Sequence, residues 1–153
     1  FCMFFFLLAG AGIRCVCRSR GLGYMYKRQL TNRLKKKLLV LDGIDNDFIE
    51  YGKEITCPEC EGVIVYSIVN SYEFDTLTEE VKCFLVKKMR GVKLDSEHKK
   101  YSYDESQLDV SKNTCSKCLK EFSAILTYKE VQPARYRVYL VGLFEGDLKQ
   151  IKL

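Results

Sequence analysis

Two short cysteine pairs constrain the fold of this 153-residue chain more than any other feature. The first is Cys57-Pro58-Glu59-Cys60 and the second is Cys115-Ser116-Lys117-Cys118. A turn of this spacing directs two thiolates to one point, so two such turns supply the four soft ligands of a tetrahedral Zn²⁺ site. Because such a set binds zinc with about 10 kcal/mol or more, much of that affinity becomes folding free energy. We therefore predict a structural zinc site with Cys57, Cys60, Cys115 and Cys118 as its ligands.

The eight cysteines of the chain also allow other interpretations. A secreted, disulfide-bonded domain is one of them, but ten Tyr and nine Phe in a chain of this length can form a core without disulfides. Iron bound by the same four thiolates is another. Rubredoxin-like iron sites place glycine after the second cysteine of each pair, where this chain has Glu61 and Leu119. We therefore favour intracellular zinc over disulfides and over iron.

The distribution of charged residues along the chain changes near residue 41. The formal net charge is +5, and residues 1–41, called here the N-terminal arm, contain nine Lys and Arg and no acid. Residues 42–153, the body, hold the other 16 basic residues against all 20 acids. This asymmetry indicates a polyanionic partner for the arm, either RNA or anionic lipid. The predicted binding residues are its basic side chains: Arg14, Arg18, Arg20, Lys27, Arg28, Arg33, Lys35, Lys36 and Lys37.

The first 17 residues of the arm are apolar apart from Arg14. This run is short for a spanning helix, which needs about 20 apolar residues. Three interpretations stay open, namely the core of a signal peptide, the trailing part of a membrane anchor, and an organelle-targeting extension. The absence of acids from the arm favours a mitochondrial setting. Cys2, Cys15 and Cys17 have no assigned role, although a second metal or palmitoylation fits them.

Hydrophobic patterning predicts a mixed α and β structure. The predicted elements are strands at 62–69, 121–128 and 134–144, helices at about 27–40 and 77–90, and a loop with one edge strand at 92–113. The helix at 77–90 opens with the capping pattern Thr76-Leu77-Thr78-Glu79.

Each cysteine pair is followed by a predicted strand, and in this respect the chain resembles a zinc ribbon, in which two facing knuckles each feed an antiparallel sheet. The resemblance covers residues 55–69 and 113–144 and is one of fold. It implies an α+β domain, with a small zinc ribbon-like antiparallel sheet, a helix in an insertion at 70–113, and a basic N-terminal extension. The pairs are 54 residues apart, against about 12–20 in related sites. Because loop-closure entropy grows slowly with length, the knuckles can still meet.

The sequence favours a non-enzymatic protein. Four cysteines fill a zinc shell and leave no position for water, and neither a Ser-His-Asp set nor a phosphate-binding loop is present. His98, the only histidine, lies in a charged stretch and is expected to be exposed. We expect a structural subunit of a large organellar assembly, docked through its arm onto RNA of a mitochondrial ribosome. The alternative is a membrane-associated accessory subunit of a mitochondrial respiratory complex, with residues 1–17 in or on the bilayer.

Overall fold

The computed structural model describes residues 31–44 and 47–151, which form mostly antiparallel sheet with few helices. The strands in this part of the chain are β1 (Leu38–Gly43), β2 (Lys53–Thr56), β3 (Val63–Tyr66), β4 (Ser71–Glu73), β5 (Lys93–Asp95), β6 (Lys100–Tyr103), β7 (Ser106–Thr114), β8 (Glu121–Thr127), β9 (Lys129–Gln132) and β10 (Arg135–Glu145). The α-helices are α1 (Asp47–Tyr51) and α2 (Glu79–Lys88), and a 3-10 turn spans Phe74–Thr76. The expected α+β class is therefore confirmed.

The strands form two antiparallel sheets. The larger has eight strands with the central order β1-β10-β8-β7-β6-β5, while β4 also pairs with β7 and β9 also pairs with β10. The smaller consists of β2 and β3 alone. The main sheet is thus much larger than the small sheet that the resemblance implies.

The larger sheet has a hydrophobic core on each face. Ile125 of β8 and Leu85 of α2 belong to one cluster of buried side chains. Phe122 and Leu126, also on β8, belong to the other cluster together with Ile64 of β3. Alternate side chains of a strand point to opposite faces of the sheet. Because β8 contributes side chains to both cores, it is buried along most of its length. The β2–β3 hairpin covers one face and α2 covers the other.

The strands predicted after each cysteine pair, and the last strand, are confirmed as β3, β8 and β10. The predicted body helix is also confirmed, with shorter bounds. It begins at Glu79, and Thr78 is its N-cap, because the Oγ1 of Thr78 accepts a hydrogen bond from the N–H of Val81 at 3.4 Å. The predicted capping pattern is therefore two residues too early, and Thr76 lies in the 3-10 turn, where its Oγ1 donates to the carbonyl of Glu73 at 2.7 Å. Val81 and Leu85 are fully buried, as their helical spacing predicts.

Two secondary-structure predictions are wrong. The expected loop at 92–113 contains β5, β6 and most of β7, in which Leu108 and Val110 are fully buried. The expected helix at about 27–40 is not formed in its described part, 31–40, where Leu38 starts β1 instead. The leucine spacing fits a helix, but the backbone of β1 pairs with β10, with Leu38 opposite Leu140. This long-range pairing overrides the local pattern.

Candidate metal centre

Each cysteine pair lies in the loop of a β-hairpin. Cys57 and Cys60 lie between β2 and β3, and Cys115 and Cys118 lie between β7 and β8. The 54 residues between the pairs do not keep them apart, because β3 packs against β7.

The two loops share one backbone conformation. In each loop, the residue after the second cysteine donates its N–H to the carbonyl of the first, from Glu61 to Cys57 at 3.1 Å and from Leu119 to Cys115 at 3.2 Å. Glu61 and Leu119 both have left-handed backbones, with φ values of 61° and 60°. The first cysteine of each loop also donates its N–H to the carbonyl five residues later, which gives the bonds Cys57 to Gly62 (2.7 Å) and Cys115 to Lys120 (2.9 Å).

The loops bring four sulfur atoms together. All four Sγ atoms lie within 4.8 Å of one another, with 3.4 Å between Cys60 and Cys115 and 3.9 Å between Cys57 and Cys118. A tetrahedral Zn²⁺ ion with Zn–S bonds of about 2.3 Å needs sulfur atoms about 3.8 Å apart. A disulfide needs about 2.05 Å, and these four cysteines are free thiols. The cysteines identified in the sequence therefore form one cluster with the dimensions of a metal site.

The electrostatics of the cluster also fit a cation. Burial opposes ionisation of Cys115, but the N–H groups of Cys118 and Lys117 and the neighbouring thiols lower the pKa of Cys115 to about 6. The N–H of Lys120 favours ionisation of Cys118, yet burial and the neighbouring thiols raise the pKa of Cys118 to about 12. One thiolate thus forms easily and makes the next unfavourable, because like charges share the site. A divalent cation removes this repulsion and stabilises all four thiolates.

Direct contacts between the loops fix the cluster. The N–H of Ser116 donates to the carbonyl of Val63 at 3.0 Å, and the N–H of Val63 donates to the Oγ of Ser116 at 3.2 Å. Gly62 lies at the closest approach. A Cβ atom on Gly62 would be 2.7 Å from the Cβ of Lys117 and 2.8 Å from the Sγ of Cys115. Any side chain at position 62 would clash with the second loop, so this position requires glycine.

An ion-pair network surrounds the cluster. Glu59 of the first loop lies 2.8 Å from Arg33 and 3.6 Å from Lys120. The same two cations reach Glu145 of β10, at 3.4 Å and 3.7 Å. Arg33 of the arm and Lys120 of the second loop thus tie the first loop to the end of the main sheet.

The structure describes four of the nine predicted binding residues of the arm. Arg33 takes part in the network around Glu59, while Lys35 and Lys36 are exposed. Lys37 is half-buried, with its Nζ 4.5 Å from the centre of the Tyr103 ring. The others lie outside the described residues, namely Arg14, Arg18, Arg20, Lys27 and Arg28, as do the apolar residues 1–17 with Cys2, Cys15 and Cys17.

Sequence reasoning missed two basic residues that meet this part of the arm. Lys88 and Arg90, at and after the end of α2, are exposed and line a groove together with Lys35, Lys36 and Lys37, and they are not among the binding residues predicted from the sequence. No local signal indicates this, because the two segments are far apart in sequence.

The remaining candidates are separate from the cysteine cluster. Cys83 is buried on α2 and is not one of the clustered thiols. His98 is exposed, as predicted, and its Nδ1 lies 2.7 Å from Asp95. Within the described ranges, the structure contains no helix that is long and apolar enough to span a bilayer.

No protein-family model, curated protein or solved structure matches this chain. The paired loops agree with the arrangement of knuckles that the zinc ribbon resemblance implies, but membership of that group stays a prediction.

Proposed function

We propose that this protein is a non-enzymatic structural protein in which Zn²⁺ joins two hairpins, and that it docks onto RNA through its basic arm. The observation that carries the proposal is the cluster of Cys57, Cys60, Cys115 and Cys118, within 4.8 Å on two loops of one conformation.

The donor set supports a structural role for the metal. Four thiolates complete a tetrahedral zinc shell, whereas a catalytic zinc site keeps a position open for water or substrate. When bound, zinc supplies charge neutralisation and a cross-link between the two loops. The chain itself supplies the remaining support, since the N–H groups of Gly62 and Lys117 donate to the sulfurs of Cys60 and Cys115, both at 3.4 Å.

Zinc is favoured over iron in this proposal. Four thiolates bind either metal, so the ligands alone do not decide between them. The left-handed positions after each pair are Glu61 and Leu119, whereas rubredoxin-like iron sites have glycine there.

The proposed partner is the RNA of a mitochondrial ribosome, with other subunits of the same particle around it. The absence of acids from residues 1–41 and the exposure of Lys35 and Lys36 support a polyanionic partner. The alternative is an accessory subunit of a mitochondrial respiratory complex, and the apolar residues 1–17 favour it.

The test is elemental analysis of the purified full chain, together with assays for bound RNA and phospholipid. We expect one zinc per chain and bound RNA. Cys57→Ser should lose the zinc and lower the melting temperature, because it removes one ligand and leaves an incomplete shell. Cys83→Ala, which changes a cysteine outside the cluster, should keep the zinc.

The possible results separate the parts of the proposal. A metal-free wild-type protein would contradict the structural zinc site, and stoichiometric iron would contradict the choice of metal. Zinc with bound phospholipid and no RNA would support the membrane alternative instead.

A further inference from the structure

A basic groove of about 450 Å³ lies between the arm and the end of α2. Lys35, Lys36 and Lys37 line one side of it and Lys88 and Arg90 line the other. The remaining lining residues are Asn32, Leu34 and Val141, so no acidic residue lines the groove.

The five cations of the groove lack ion pairs with any part of the chain that the structure describes. Several basic residues elsewhere on the surface are paired, such as Lys112 with Asp147 at 3.0 Å and Arg135 with Asp42 at 3.1 Å. In the groove, Lys37 and Lys88 instead contact aromatic rings, and Lys88 Nζ lies 5.5 Å from the centre of the Phe84 ring. Such contacts leave the positive charge uncompensated.

The cations of the groove repel one another when it is empty, and a bound anion would relieve this repulsion. Burial and the nearby Arg90 guanidinium both lower the pKa of Lys37. An anion between the two sides reverses this effect, because it interacts favourably with the cations of both segments.

Asn32 holds the two sides of the groove together. Its Oδ1 accepts hydrogen bonds from the N–H groups of Leu34 at 3.0 Å and Leu143 at 3.1 Å. Its Nδ2 donates to the carbonyl of Lys88 at 3.2 Å, which joins the arm to the last residue of α2. Asn32 therefore positions the cations and has little capacity left to read a base edge.

We infer that this groove binds the phosphodiester backbone of single-stranded RNA, with Lys88 and Arg90 as binding residues opposite Lys35, Lys36 and Lys37. The inference rests on the proposed function, because it specifies where RNA lies on the protein. The ligand class follows from the lining, which offers several cations and few side chains able to recognise a base.

The shape of the site favours RNA over a bilayer. A single strand carries one phosphate per nucleotide and can follow a groove, so cations on both sides contact it at once. A bilayer presents headgroups as a broad surface, which meets the rim of a groove before it meets the interior. The salt dependence of binding reports the number of phosphate contacts, because each contact with a single strand contributes about −0.7 to the slope of log K against log salt concentration.

The experiment measures binding of a fluorescein-labelled oligouridylate to the full chain by anisotropy over a series of salt concentrations. We expect the double variant Lys88→Ala/Arg90→Ala to lose about tenfold or more in affinity and to have a slope less negative by about 1.4. Lys88→Arg/Arg90→Lys, which keeps both charges, should bind like wild type. The matched control is Lys99→Ala/Lys100→Ala, which removes two exposed charges that do not line the groove.

Zinc content and melting temperature establish that each variant is folded. If Lys88→Ala/Arg90→Ala does not fold, Arg90→Ala alone tests the same claim, with an expected slope change of about 0.7. The variants of Lys88 and Arg90 could instead bind with wild-type affinity and slope, while Lys35→Ala/Lys36→Ala/Lys37→Ala binds more weakly. This result would contradict RNA binding in the groove but would leave the proposal that the arm docks onto RNA intact. Wild-type protein that binds vesicles containing phosphatidylserine but no RNA would overturn both the groove assignment and RNA as the partner.

Discussion

The two hairpins that carry the cysteine pairs have the same loop and very different support. The second hairpin consists of β7 and β8, strands of nine and seven residues within the eight-stranded sheet, and β8 has β10 on its other side. The first hairpin consists of β2 and β3, strands of four residues that pair only with each other.

Burial follows the same division. Ile64 and Tyr66 of β3 are buried against the main sheet, whereas Val63 and Val65 remain 38% and 44% exposed. In β8, every residue from Phe122 to Thr127 is buried. A two-stranded hairpin with only one covered face is marginally stable by itself. We therefore expect a metal bound to the cluster to stabilise the first hairpin more than the second.

Removal of the metal should have the largest effect and should separate the two hairpins. With a chelator, we expect amide hydrogen exchange to accelerate strongly in β2 and β3, because the cross-link that holds them is lost. The amides of Ala124, Ile125 and Leu126 should keep most of their protection, since they lie in the centre of the main sheet.

Addition of zinc to the chelated protein should restore protection in the first hairpin and serves as the control. Equal loss of protection in β3 and β8 would contradict the expected difference between the hairpins. It would mean that the metal stabilises the whole domain as one cooperative unit.

A smaller effect is expected from an added methyl group at the contact between the loops. Gly62→Ala would place Cβ 2.8 Å from the Sγ of Cys115, so the sulfur cluster must shift. We expect zinc affinity, measured by competition with a chromophoric chelator, to fall by about 10–100-fold.

The matched variant is Lys120→Ala, at the equivalent position of the second loop. It removes the ion pairs with Glu59 and Glu145, which solvent screening weakens, and leaves the space around the sulfurs unchanged. Zinc affinity that falls equally in both variants would contradict the steric role of Gly62.

The smallest effect concerns the left-handed residues Glu61 and Leu119. Glycine is free of the Cβ clash at positive φ, but it also increases the freedom of the unfolded chain. We expect Glu61→Gly and Leu119→Gly each to stabilise the protein by about 0.5–1 kcal/mol, measured by chemical unfolding with zinc present.

Glu61→Ala and Leu119→Ala should not stabilise the protein, because alanine keeps the clash. Equal gains at the two positions would show that the loops are energetically as well as geometrically equivalent. Destabilisation by Leu119→Gly would indicate that the Leu119 side chain, which is 72% exposed, has a stabilising contact of its own.

The features that sequence reasoning predicted are those with a local cause. The spacing of each cysteine pair defines its loop, the β-branched run Val63-Ile64-Val65 defines a strand, and the apolar spacing of Val81 and Leu85 defines the buried face of α2. Each signal lies within a few residues of the element that it specifies.

The features that it missed depend on distant partners. The alternation of Leu108 and Val110 with polar neighbours is a strand signal, but the many charges before it concealed β5–β7. Residues 38–43 form a strand because β10 lies beside them, and nothing within the arm specifies that partner. The pairing of Arg33 with Glu59 likewise requires the folded chain, so composition alone could not separate this arginine from the lysines of the groove.

The pairing of β1 with β10 has a consequence for synthesis of the chain. β1 is the first described strand to leave the ribosome and β10 is the last, yet they are neighbours in the sheet, and β10 also separates β1 from β8. Until β10 emerges, β1 has no partner and β8 presents an open edge to other chains. Folding of the main sheet is therefore completed late, and nascent chains that lack β10 should depend on chaperones to avoid edge-to-edge association.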